Sequence, residues 1–422
     1  MATTPGRAVP TCQAHSAPEP HSLSATDGKA LPGPLVTSRP NLLGLTDLSI
    51  PVKHAAWARP GARPARLAAS PSLPATVVEW YTWAAMTNGT RADERFLVTG
   101  ALGCIGAWTV RLLAGEGTPA VATDLGQDAA RWRLLDPELE RQVPLVHGDV
   151  TDAAGFERLV AEHGITHVIH LAALQVPFAR ANPTLGARVN VEGMAVVLEA
   201  VRRLRDQVRG LSFASSIAVY GPADRYGPGP LPHDAPPEPT TLYGSYKLAD
   251  EWMARVYRRE YGITSIGLRG AVVYGPGRDQ GLTSSPTSAM LAAAVGRPYR
   301  INWGGEAGYH HARDVAAAFI AAARACETGD ETDTYNLAVD TRSMNEVVEA
   351  IREAAGGPVD VTYEPVQLPF PSAYDPSTLE QRLGAPPPLT PIREGVRETV
   401  EAFRAAAADG RLDVDRLLGR TS

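Results

Sequence analysis

Tyr243 and Lys247 stand four residues apart, a spacing that places both on one face of a helix. A tyrosine hydroxyl titrates near pH ~10 and is a weak base at neutrality, but a neighbouring ammonium favours the phenolate. So paired, the two could take the proton of an alcohol. The same spacing recurs by chance on helix surfaces, so a second piece is needed. Residues 213–221 (FASSIAVYG) supply it: Ser215 and Ser216 carry hydroxyls able to hold a substrate oxygen.

A third piece lies far upstream. Residues 99–106 read TGALGCIG, between a short apolar run (95–99, RFLVT) and an apolar repeat of helical period (105–114). Gly100 permits a tight turn, Gly103 lets the backbone approach a pyrophosphate, and Gly106 lets helix pack closely on strand. The helix opening at Cys104 and Ile105 turns free N–H groups and a partial positive charge toward the phosphates. Asp124 follows Gly106 by 18 residues, at the end of the next apolar run. Its carboxylate would accept ribose hydroxyls and repel a 2′-phosphate, and no Arg directly follows it, so NAD is expected over NADP. An oxidised nicotinamide is itself cationic and would join Lys247 in favouring a tyrosine anion.

These groups need elements to hold them. Strands are expected at residues 95–99, 119–123, 143–146, 167–171, 211–214 and 264–268, with helices at 105–114, 183–205 and 242–261. Strand alternating with helix argues for an α/β fold with a doubly wound parallel sheet. Two loops follow strands, at the edge where open α/β sheets bind ligands. Residues 221–240 hold seven prolines and can be neither helix nor central strand. Residues 274–288 are rich in Gly, Pro and hydroxyls. Beyond residue 282, apolar helical stretches at 289–295, 315–326, 344–354 and 392–405 read as core.

Composition bounds the rest. The chain has 422 residues, 44% hydrophobic and 20% charged, which excludes collagen-like and wholly disordered classes. Net charge is −6, against general binding of nucleic acid. Three scattered cysteines, Cys12, Cys104 and Cys326, form neither a zinc pattern nor a disulfide framework, so no metal is expected and a reducing, cytoplasmic location is. No apolar run reaches the ~20 residues of a membrane span, and the alanine-rich run 316–323 reads as buried helix. Residues 1–90 differ: 12 prolines, 7 basic and 4 acidic residues, and almost no periodicity. That stretch reads as a flexible tail, as an extension upstream of a true start at Met86, or as a transit peptide. The domain expectation is therefore 1–90 tail, 91–281 with later returning segments for the dinucleotide, and 282–422 mainly for substrate.

Taken together, TGALGCIG, GDVTD (148–152), HLAA (170–173), VNVEG (189–193), SSIAVYG, YGSYK and LRGAVVYGPG (268–277) resemble the extended short-chain dehydrogenase/reductase family. This group comprises NAD-dependent epimerases, dehydratases and relatives. The resemblance covers about residues 95–403. It implies a Rossmann-type sheet with a smaller C-terminal substrate lobe, bound NAD, and a homodimer formed through sheet-domain helices, with 191–203 and the Tyr243 helix as candidates. It implies Ser216, four before Tyr220, as the active-site hydroxyl, with Tyr243 and Lys247 completing the catalytic set. Lys247 would also hold the nicotinamide ribose. Asp149 and Val150 would lie beside the adenine, Leu171 and Ala172 along the cofactor's centre, and Asn190 in the helix before the fifth strand. Asp149 could equally be a turn former, Asn190 a satisfied helix polar group, and Cys104 a small packing residue. Arg269 and 273–277 would lie near nicotinamide and substrate.

Two departures narrow the chemistry. Family 4,6-dehydratases carry an Asp-Glu pair where this chain has Ile217 and Ala218, which disfavours dehydration. Many nucleotide-sugar binders carry an Arg where this chain has Ala307, which weakens a diphosphate handle. Arg278, Arg297, Arg300 and Arg313 are other candidate anion contacts. Gln175, Ser284 and Thr287 are candidate sugar contacts, and His310 and His311 are candidates either to approach the pocket or to pack and hydrogen-bond, with no third ligand for a metal. The expected function is an NAD-dependent (nucleotide-)sugar epimerase. The alternatives are an NAD-dependent dehydrogenase of a free sugar, sugar acid or polyol, and a non-catalytic NAD-sensing scaffold.

Overall fold

The structure is a computed structural model that describes residues 93–328 and 333–419. The readings made for residues 1–90, including the Met86 start, lie outside the described residues. Twelve strands follow in chain order: β1 (Phe96–Thr99), β2 (Ala120–Asp124), β3 (Leu145–His147), β4 (His167–His170), β5 (Gly210–Ser216), β6 (Ile266–Gly270), β7 (Val272–Tyr274), β8 (Tyr299–Ile301), β9 (Glu306–His311), β10 (Asp333–Asn336), β11 (Asp340–Ser343) and β12 (Val361–Tyr363). Seven of them form one sheet in the order β10-β6-β5-β4-β1-β2-β3, parallel at every pairing. The order reverses between β1 and β4, which opens a crevice at the carboxyl ends of those strands.

Both faces of this sheet are covered, so its central strands β1, β2 and β4 are buried at successive positions and not alternately. Phe96 and Val98 enter the core shared with helices Cys104–Glu116 and Ala312–Ala325; Leu97 enters the opposite core, beneath Ala153–Glu162 and Gly193–Arg203. Helix Ala312–Ala325 is buried along its whole length. Its alanines explain themselves here: the backbone lies so close to β5 that a Cβ on Gly210 would stand 2.1 Å from the Ala323 carbonyl oxygen. This helix and β10 both follow residue 281, yet they return to the large sheet. Among the described residues, no helix is long and apolar enough to cross a membrane.

Two minor sheets, β11-β9-β7 and β12-β8, complete the strands of the described residues. A second core there is built by helices Ser285–Ala294, Met344–Ala355 and Ile392–Ala408. The sequence places 274–288 in a loop, but Ser285 already opens a helix, with Pro286 in its first turn, where a missing N–H costs nothing.

One expected helix is widened. Residues 183–205 form Pro183–Ala187, a wide π-turn at Arg188–Glu192, and Gly193–Arg203. The Asn190 side-chain amide donates to the Gly186 carbonyl (2.8 Å), the acceptor that its own backbone N–H would use in an α-helix, and to the Leu174 carbonyl (3.2 Å).

At the base of the sheet, Arg324 is ion-paired with Glu94 (2.9 Å) and Glu116 (2.8 Å). Burial raises the Glu94 pKa although Arg324 opposes the shift. Arg324→Ala should cost about 3–5 kcal/mol of stability, because it strands buried acid without its counter-charge; urea unfolding monitored by circular dichroism measures it.

Candidate functional site

The crevice at the strand reversal is a cavity of about 740 Å³. The glycine loop forms one end. Gly100 has φ 64°, and a Cβ on it would lie 2.7 Å from the Ala172 amide nitrogen; a Cβ on Gly106 would lie 2.2 Å from the Gly100 carbonyl oxygen. These two positions admit only glycine. The following helix starts at Cys104 without a side-chain cap, so its opening N–H groups remain for a ligand. Burial pushes the Cys104 thiol up to about 11, so it is a packing residue and not a thiolate.

Gly100, Gly103, Cys104, Ile105, Gly106, Asp124, Asp149, Val150, Leu171, Ala172, Ser216 and Tyr243 all line the cavity. Asp124 accepts from the amides of Leu102 (3.0 Å) and Gly126 (2.8 Å), which leaves carboxylate lone pairs for hydroxyl donors. Asp149 Oδ1 accepts from both the amide and the hydroxyl of Thr151, each at 2.8 Å, so it shapes the turn as well as the wall. Leu171 and Ala172 are aimed by Thr99, whose hydroxyl oxygen accepts their amides at 3.1 and 3.2 Å and bonds His170 Nδ1 at 2.8 Å. A glycine-lined cradle, an uncapped helix end and a carboxylate at the far strand fit a dinucleotide.

Two of the expected cofactor residues are not at the surface of the cavity. Asn190 is fully buried and reaches the wall only through the Leu174 carbonyl. Lys247 is 1% exposed, with Nζ 5.9 Å from the Tyr243 ring centre and 3.1 Å from Asp250 Oδ2. Burial opposes its charge, but Asp250, Tyr243 and Glu251 outweigh burial and raise its pKa. Both serines line the cavity, but their hydroxyls are engaged differently. Ser216 lies on the wall and accepts the Ala218 amide at 3.1 Å. The Ser215 hydroxyl is bonded to Glu251, which grips Arg269 at 2.6 and 2.9 Å. Arg269 therefore belongs to the buried framework and not to the substrate wall.

Several other expected contacts are also engaged elsewhere. Ser284 donates to the Gly281 carbonyl, and Thr287 accepts the Gly275 amide. Arg297, Arg300 and Arg313 pair with Asp415, Glu364 and Glu398. His310 accepts the Ala271 amide (2.7 Å) and bonds the Ala338 carbonyl, and burial lowers its pKa to about 4. His311 packs beside Trp108 and Tyr274. Gln175 and Arg278 do reach the cavity.

The profile of the NAD dependent epimerase/dehydratase family matches residues 96–338. The chain belongs to that family. It is 31% identical over 320 residues to a UDP-glucose 4-epimerase of Mycolicibacterium smegmatis, covering 74% of this chain and 98% of the relative. It is likewise 31% identical over 318 residues to a dTDP-glucose 4,6-dehydratase of the same organism, covering 74% and 93%. Among solved structures, the Thermus thermophilus UDP-glucose 4-epimerase complex with NAD is 30% identical with a TM-score of 0.62, covering 74% of this chain and 99% of that one. NAD is the family's cofactor, and the cradle described above fits it.

Within this family chassis the chain closes its cavity with a latch that the motifs do not reveal. Arg131 donates to the Leu102 carbonyl (2.7 Å) and the Gly277 carbonyl (3.0 Å), and pairs with Asp279 (2.5 Å). It thereby ties the glycine loop to residues 275–281. Leu368 and Phe370 reach the opposite wall from far along the chain, and no sequence signal marks them. Lys247 did carry one: it is the only lysine after residue 53, every other cation there being arginine or histidine. Asp279→Asn should speed NAD release about two- to fivefold, as expected for a partly exposed ion pair; stopped-flow displacement measures the rate.

Proposed function

We propose that this chain is a (nucleotide-)sugar epimerase that oxidises a secondary alcohol and then reduces the ketone from the other side. One observation carries the reading: Ser216 and Tyr243 share a single cavity with the glycine cradle. Bound NAD would supply a reversible hydride acceptor. Tyr243 takes the alcohol proton, Ser216 holds the substrate oxygen, and Lys247 stands behind Tyr243 as a permanent positive charge. The wall beside Ser216 is Ile217 and Ala218, both buried. Neither can serve as acid or base for loss of water, although one relative is a dehydratase. The sugar-nucleotide substrates named for the epimerase relatives support the substrate class.

A second reading, a dehydrogenase of a free sugar, sugar acid or polyol, is favoured by the charge pattern. Both cavity cations, Arg131 and Arg278, bear on Cys104 at the cofactor end. Tyr243 packs with Ile217, Leu368 and Phe370, and neither cavity cation is among them. Incubation with NAD and a panel of UDP-sugars and free sugars separates the two. Isomers without accumulating NADH indicate the epimerase, and stoichiometric NADH the dehydrogenase. Tyr243→Phe should lower either activity about 10²- to 10⁴-fold with NAD affinity retained; unchanged turnover would discard the proposed base.

The reading includes a homodimer through the outer faces of Gly193–Arg203 and Leu242–Tyr261, where Trp252 is 54% exposed and Tyr261 43%. Sedimentation of the purified chain at twice the monomer mass is the expected result. The reading keeps a reducing, cytoplasmic setting, which the few scattered cysteines of the sequence support.

A further inference from the structure

Behind Tyr243, away from the cavity surface, lies a second carboxylate that the alcohol chemistry does not use. Asp250 is three residues after Lys247 on the same helix and is fully buried. Its Oδ2 is 3.1 Å from Lys247 Nζ, while Oδ1 has no hydrogen-bond partner among the described residues. An ammonium and a carboxylate at that distance act together as a dipole, so the field Lys247 sends into the cavity is much reduced.

That field matters because the two forms of the cofactor differ in charge. Oxidised nicotinamide is a cation, and a lone buried ammonium nearby repels it; reduced nicotinamide is neutral. We propose that Asp250 is the buried counter-ion that sets how strongly the site prefers oxidised over reduced NAD. The inference rests on the dinucleotide reading of the cavity. Asp250 is a positioning residue: it acts through Lys247 and touches neither substrate nor cofactor.

Its surroundings leave Asp250 as the group that changes charge near neutrality. On its own helix it faces Lys247 and Glu251, and Glu251 is held by Arg269 of β6. From β4, His170 feels Lys247, but burial lowers its pKa to about 3 and keeps it neutral. On the other packed elements, Arg188 pairs with Glu192, Glu199 with Arg202 and Arg203, and Asp333 with Arg255, all near the surface, while Arg180 is exposed. Burial pushes the Asp250 carboxyl up to about 6, with Lys247 opposing the shift. Above that pH the carboxylate favours oxidised NAD. Below it the carboxyl is neutral and the preference fades.

The test is calorimetric titration of the full chain with NAD+ and, separately, NADH. In Asp250→Asn the ratio of the NAD+ to the NADH dissociation constant should rise about five- to twentyfold. Asp250→Glu, which keeps the charge, should return the ratio toward that of the unaltered protein. In the unaltered protein the same ratio should rise as pH falls through about 6, and that dependence should vanish in Asp250→Asn. A merely structural role would weaken both ligands together and leave the ratio unmoved, which overturns the proposal. Asp250→Ser, which also removes the charge, carries the same test should the amide not fold. If neither dinucleotide binds the unaltered chain, the cofactor reading itself fails, and this inference with it.

Discussion

The working geometry hangs on the buried pair between Glu251 and Arg269. Glu251 belongs to the helix that carries Tyr243 and Lys247, Arg269 to β6, and the Ser215 hydroxyl at the end of β5 is bonded to the same carboxylate. Arg269 also donates to the Tyr220 hydroxyl (2.6 Å), which donates to Asn336 of β10. A single ionic node thus locks three adjacent strands and one helix. Such a pair returns little net stability once desolvation is counted. What it fixes is register: the Ser215 hydroxyl is held on Glu251, while the hydroxyl of the next residue, Ser216, turns to other partners and accepts the Ala218 amide.

A second set of constraints comes from backbone contacts with no room for a side chain. Gly100 lies against Ala172 and Gly106 against Gly100, so the first turn of the first helix is pulled down into the crevice. Thr99 and His170 pin the facing strand end. The result brings helix N–H groups to the place where β1 and β4 diverge, where the sheet leaves space for a ligand. The Arg131 latch then joins this cradle to the glycine-rich segment that follows β7.

Much of this arrangement is local and therefore readable along the chain. The glycine spacing, Asp124 at a strand end, and Tyr243 with Lys247 are short-range patterns, and their elements form where the apolar runs place them. The helix Leu242–Tyr261 matches its expected bounds because Thr241 caps it and Gly262 ends it in the left-handed conformation. The helix expected over 183–205 forms, but widens by a π-turn at Arg188–Glu192 where the Asn190 side chain takes the Gly186 carbonyl, which periodicity does not register. Arg269 and Thr287 looked like site residues from their position in sequence, yet their partners, Glu251 and the Gly275 amide, draw them into the framework.

The chemistry on offer is legible along the chain: a turn only glycine can make, a phenol and an ammonium one helical turn apart, and a hydroxyl at a strand end. Each depends on neighbours within a few residues, whose geometry is set by the helix and strand repeats. Packing across the chain settled which distant charges neutralise one another. Arg131 is paired with Asp279 and Arg313 with Glu398, partnerships that span more than eighty residues, while burial of both side chains is what closes the local Lys247–Asp250 pair away from water. Burial raises the energy of an unpaired charge, so partners are chosen by where the folded chain leaves no water, and that is a property of the packed whole.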